Sequence, residues 1–100
     1  MGGEGYKLVF RESAQREFER LGTVEKRAID RKFQILENDP CPAESKAIDK
    51  YAPLRRIKAG HVRVIYDPEP DSRNRLYILR VGIDHSIYDL DDLVRDYRSE

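Results

Sequence analysis

The longest apolar patterns of this chain are helical before two prolines and strand-like after them. Upstream of Pro40 and Pro42, Ala14, Phe18 and Leu21 recur at i, i+4 and i+7, followed by a wider stripe of Val24, Ala28, Ile29, Phe33, Ile35 and Leu36. Both patterns carry the 3.6-residue period of helices that bury one side. Downstream, residues 54–59, 62–66 and 76–81 are rich in branched apolar side chains and read as strands. A chain with this order has to lay helices against a sheet built mainly from its other half.

The punctuation sharpens that outline. Residues 6–10 (Tyr-Lys-Leu-Val-Phe) form a first strand ahead of the helices. Gly22 closes the first helix, Thr23 is suited to cap the second, and Glu25 suits its first turn. So short a connection makes the two helices an antiparallel hairpin. Glu12, Arg16, Glu17, Glu19 and Arg20 around the first apolar stripe read as a solvated face, with pairs worth about 0.2–0.5 kcal/mol each. Prolines at 40 and 42 and the polar run to Asp49 mark a loop. Gly60-His61 is a turn between two strands, and residues 67–74 form a longer turn before the last strand, apolar on both faces as a central strand would be. Leu90, Leu93, Val94 and Tyr97 imply a short C-terminal helix, with Asp89, Asp91 and Asp92 at its dipole-favoured start. The reading is α+β, in the order β-α-α-β-β-β-α: a two-helix hairpin packed on a mostly antiparallel four-stranded sheet. Residues 1–100 are read as a single domain, without internal repeats.

Composition excludes several functions. The one cysteine, Cys41, allows no internal disulfide and has no companion at metal-ligand spacing, so neither a disulfide scaffold nor a zinc site is expected. No apolar run approaches a membrane span, the first residues lack the pattern of a secretory leader, and a cytoplasmic setting is expected. No glycine-rich phosphate loop is present, which argues against nucleoside triphosphate chemistry. No metal or organic cofactor is implied.

Charge is balanced overall, 19 basic against 19 acidic residues, yet unevenly placed. Between Tyr51 and Tyr66 stand Arg55, Arg56, Lys58 and Arg63, together with His61, and no acid. Alternation puts Arg56 and Lys58 on one side of their strand and Arg55 on the other. An adjoining strand carrying Arg63 would complete a cationic patch able to grip phosphates, arginine adding bidentate hydrogen bonds. The same residues also read as charges that protect a sheet edge. A second cluster, Asp84, His85, Ser86 and Tyr88, follows the last strand. His85 is of the residue type suited to moving protons near neutral pH, and Tyr88 is able to orient or stack on a base. The plainer reading of the residues has Tyr88 packed on the core edge and His85 as an ordinary loop residue. Neighbours on an extended segment point in alternating directions, so an Asp-His-Ser triad is not expected here.

The run Leu54-Arg55-Arg56-Ile57-Lys58-Ala59-Gly60-His61-Val62-Arg63-Val64-Ile65-Tyr66, then Leu79-Arg80-Val81-Gly82 and Tyr88, resembles the RelE/ParE toxin superfamily over nearly the whole chain. The resemblance implies a toxin neutralised by a cognate antitoxin whose helices wrap it. Its RelE branch implies a ribosome-dependent endoribonuclease that cuts messenger RNA in the decoding site through attack of the ribose 2′-OH. Arg56 then falls where the family places a cation acting on the 2′-OH. Arg63 and Lys58 would hold the scissile phosphate, with Arg55 and His61 as further phosphate contacts, and Tyr88 matches the terminal tyrosine. Two positions depart from that pattern. Leu54 replaces the first basic residue, and Ile83 and Asp84 stand where an arginine is expected, with His85 as a substitute proton donor. A ParE-like gyrase inhibitor and a non-cleaving homologue that only binds a partner are the alternatives.

Overall fold

The computed structural model describes residues 5–83 and 88–99. Strand β1 (Lys7–Phe10) leads into α1 (Glu12–Glu19) and α2 (Thr23–Asn38). A two-residue strand β2 (Lys46–Ala47) and a 3-10 turn (Asp49–Tyr51) follow. Then come β3 (Arg55–Ala59), β4 (Val62–Tyr66), β5 (Arg75–Gly82) and α3 (Asp91–Arg98). The expected order is present. The sheet, however, has five strands rather than four, in the order β1-β5-β4-β3-β2.

Only the β1–β5 pair is parallel, with Lys7 opposite Arg75 and Phe10 opposite Ile78. The α1–α2 hairpin supplies the crossover that a parallel connection needs. On the hairpin side of the sheet Ala14, Ile29, Phe33 and Leu36 meet Ile57, Val64, Tyr66, Ile78 and Val81 in one core. Phe10, Phe18 and Phe33 form a ring trio there, with centroids 5.2–5.8 Å apart. On the other side Leu90 and Val94 pack with Ile65, Leu79, Leu54 and Tyr51 in a second core. This two-sided burial explains why the last strand is apolar on both faces.

The helix caps differ from the sequence reading at one point. Thr23 is the first residue of α2, and Gly22 is its N-cap. Glycine has no side chain to cap with, so Glu25 does the work, its carboxylate accepting the Gly22 N–H at 2.9 Å. Polar contacts fasten α3 as well: the Tyr97 hydroxyl donates to Asp67 at 2.6 Å, the Tyr51 hydroxyl to Asp91, and Arg98 to the Ala52 carbonyl at 2.7 Å. Burial, then the bond to Asp67, pushes the Tyr97 phenol well above its usual range. Among the described residues no helix is long and apolar enough to cross a membrane.

Candidate nucleic-acid interface

Gly60 adopts φ +61°, in the left-handed region open to glycine, and with His61 it makes the two-residue turn between β3 and β4. So tight a turn fixes the register. Ala59 therefore lies opposite Val62, Lys58 opposite Arg63, Arg56 opposite Ile65, and Arg55 opposite Tyr66. Ile57, Ala59, Val62 and Val64 face the helical hairpin, which sends Arg56, Lys58 and Arg63 to the other face.

On that face Lys58 and Arg63 stand side by side across the strands, and Arg56 lies about 7 Å farther along β3. Beyond Arg63 the next strand offers Gly82, which has no side chain to obstruct approach. Among the described residues, Arg63 makes only long contacts to the carbonyls of His61 and Ile83, 3.5 Å each. Among the described residues, Arg56 and Lys58 pair with no carboxylate. Like charges directly opposite in an antiparallel pair destabilise it, so this juxtaposition costs the fold something.

Arg55 goes elsewhere. Its guanidinium donates to the Ser45 hydroxyl at 2.9 Å and the Ser45 carbonyl at 3.0 Å, on the hairpin side of the sheet. That brace holds the 40–45 loop, where the Tyr66 hydroxyl also donates to the Pro40 carbonyl at 2.8 Å. Leu54, at the position where a cation is expected, is buried in the core beneath α3. His61 is exposed in the turn. Tyr88 is half-buried and packs at the margin of the second core. His85 and Asp84 lie outside the described residues.

One pair went unread in the sequence. Between Ile65 and Tyr66 the β4–β5 register shifts, Ile65 facing Arg80 while Tyr66 faces Ile78, so Leu79 is an extra residue in β5. Arg80 bonds to Glu17 of α1, at 2.8 Å in the closest contact. The available signal was Arg80 itself, a charge within an apolar strand, since such residues are almost never buried without a partner. Among the described residues no group of three or more His, Cys, Asp or Glu is placed to hold a metal ion.

A helical hairpin laid on a mostly antiparallel sheet with a parallel first strand is the fold class of the RelE toxins of solved structure. The chain belongs to the ParE toxin family of type II toxin–antitoxin systems (parDE), whose family model matches residues 8–88. Its fold is similar to that of a mutant of the E. coli toxin RelE in the free state: TM-score 0.74, 19% identity, 92% of this chain and 97% of that one covered. The toxin–antitoxin complex RelBE2 from Mycobacterium tuberculosis gives 0.68, 23% identity, 82% and 94%. The archaeal RelE–RelB complex from Pyrococcus horikoshii gives 0.59, 21% identity, 79% and 94%. None of the curated proteins matches the sequence significantly.

Proposed function

We propose that this toxin is a ribosome-dependent endoribonuclease that cleaves messenger RNA in the decoding site, and that a cognate antitoxin neutralises it. The observation carrying this reading is the face-to-face placement of Lys58 and Arg63, with Arg56 on the same side and no carboxylate paired to either Arg56 or Lys58 among the described residues. A like-charge pair that weakens the sheet makes sense where an anion comes to rest between the two.

In the proposed step the ribose 2′-oxygen bonds to the neighbouring phosphorus and the bond to the 5′-oxygen breaks. The 2′-OH gives its proton to solvent water as it attacks, and Arg56 stabilises the resulting negative charge on the 2′-oxygen. Lys58 and Arg63 neutralise the charge gathering on the phosphorane oxygens. Tyr88 orients the nucleotide, and His85 delivers the proton to the departing 5′-oxygen. Arg55 is committed to Ser45, so the phosphate grip is assigned to the other three cations, with His61 at its rim.

The test is incubation of the purified protein with ribosomes on a defined messenger, mapping new 5′ ends by primer extension. Cuts at the decoding-site codon are expected, absent with ribosome-free RNA and with the Arg56→Ala/Arg63→Ala variant. No cuts from folded protein would overturn the nuclease reading. The second reading, inhibition of DNA gyrase, is supported by the match to ParE toxins. Loss of gyrase supercoiling in the presence of uncleaved messenger would establish it instead.

A further inference from the structure

Beside the β3–β4 turn, the outer side of the first turns of α2 borders a groove with two adjoining hollows. The deeper, about 190 Å³, is lined by Val24, Glu25, Ala28 and the hairpin tip 59–62. The shallower, about 230 Å³, lies between Val24, Arg27, Ala28 and Arg31. Val24 is 79% exposed, the more exposed of the two large apolar side chains displayed among the described residues. A lone surface valine needs no explanation, but this one forms the wall of a concave, apolar site.

The rim is cationic. Arg27 and Arg31 are exposed, lie at i, i+4 along α2, and have no ion-pair partner among the described residues. Like charges at that spacing work against the helix. The acid in the lining, Glu25, is taken up by the Gly22 N–H. Asp30 projects from another side of α2, into a different hollow with Lys7 and Phe33.

We propose that this groove docks a short acidic segment of a partner protein. The segment seats one branched aliphatic side chain between Val24, Ala28, Ala59 and Val62 and sets carboxylates against Arg27 and Arg31. A second copy of this chain would bring the same cations against themselves. Single-stranded RNA would find one imidazole, His61, and no phenylalanine, tyrosine or tryptophan lining the hollows on which to stack successive bases. Lys58 and Arg63 lie on the opposite face of the same hairpin, so a segment seated here leaves the cationic face open. The proposal does not depend on the nuclease reading.

The test begins with peptides selected from a random displayed library on the intact folded chain, then synthesised and titrated into isotope-labelled protein. Selected peptides should carry Asp or Glu flanking Leu, Ile or Val. They should shift the amide resonances of Val24, Ala28 and residues 59–62. Binding should weaken about tenfold or more, which is 1.4 kcal/mol or more, in both Val24→Asp and Arg27→Glu/Arg31→Glu. Val24 is exposed, so these variants should keep the wild-type circular dichroism spectrum. Peptides without excess acid, resonance shifts elsewhere, or unchanged affinities in folded variants would overturn the proposal. So would self-association lost on Val24→Asp, or a short single-stranded RNA shifting the same amides, by giving the groove to a different occupant.

Discussion

The Glu17 carboxylate closes on Arg80 and on the backbone next to it: one oxygen takes the Val81 N–H at 2.9 Å while the other meets the guanidinium at 2.8 Å. β1 pairs with β5 only as far as Ile78. Glu17 therefore stands in for the missing strand at the next unpaired amide and ties α1 to the bulge. Both side chains are 22% exposed. Glu17→Ala should destabilise the protein by about 2–3 kcal/mol, because it strands a guanidinium and an amide that have little access to water. Glu17→Gln keeps an acceptor for the amide and should cost about 1–2 kcal/mol. Urea unfolding of the two variants measures the difference, and equal losses would show that the amide bond contributes nothing.

Stability and the proposed chemistry should move in opposite directions at Lys58. Replacing it with Glu turns a like-charge cross-strand pair into an attractive one, a gain of about 0.2–1 kcal/mol. The same change removes one cation from the proposed phosphate grip and adds an anion. Lys58→Glu should raise the melting temperature slightly and lower cleavage on programmed ribosomes by about 10²-fold or more. A variant that is both more stable and fully active would remove Lys58 from the site.

Local signals carried most of this fold. The helical hairpin, the Gly60-His61 turn, the strand before it and the two strands after it are each written in a few neighbouring residues. The turn length alone is enough to place Lys58 opposite Arg63. What escaped reading depends on distant partners. Lys46 and Ala47 have no period of their own and form a strand only because β3 offers an open edge at Arg55 and Arg56. Glu17 looks like a solvated helix residue until Arg80 is brought to it from 63 positions away. Alternation sets Arg55 on the face opposite Arg56, but the partner that takes it out of the phosphate grip, Ser45, is brought to it from a distant loop.

Acid should loosen the β4–β5 loop and the attachment of α3 together. At Asp71, partial burial opposes ionisation, but the N–H groups of Arg75 and Arg73, the Arg75 guanidinium and the Tyr77 hydroxyl outweigh it and hold the carboxyl well below its ordinary value of 3.8. At Asp91 the Tyr51 hydroxyl, then the Lys50 charge, lower it in the same direction. The unfolded chain therefore takes up these protons before the folded one does. Both contributions are complete above the ordinary value and are lost as pH falls below it toward the depressed folded values. Thermal melts between about pH 5 and pH 2 should show a steep decline that flattens in the Asp71→Asn/Asp91→Asn variant. An unchanged profile in that variant would assign the acid sensitivity to other groups.

Arg55 and Arg56 are adjacent in sequence and opposite in face, and their alanine variants should separate structure from binding. Arg55→Ala removes both bonds to Ser45, which is 4% exposed, so about 1–3 kcal/mol of stability should go. Its affinity for single-stranded RNA, measured at a temperature where the variant is folded, should stay at the wild-type value. Arg56→Ala leaves the core untouched and should melt like wild type. Its loss should appear in the salt dependence of RNA binding, where one fewer phosphate contact reduces the log–log slope by about 0.7. If Arg55→Ala lowers the slope and Arg56→Ala does not, the RNA-binding face lies on the helical-hairpin side of the sheet and the proposed site is on the wrong surface.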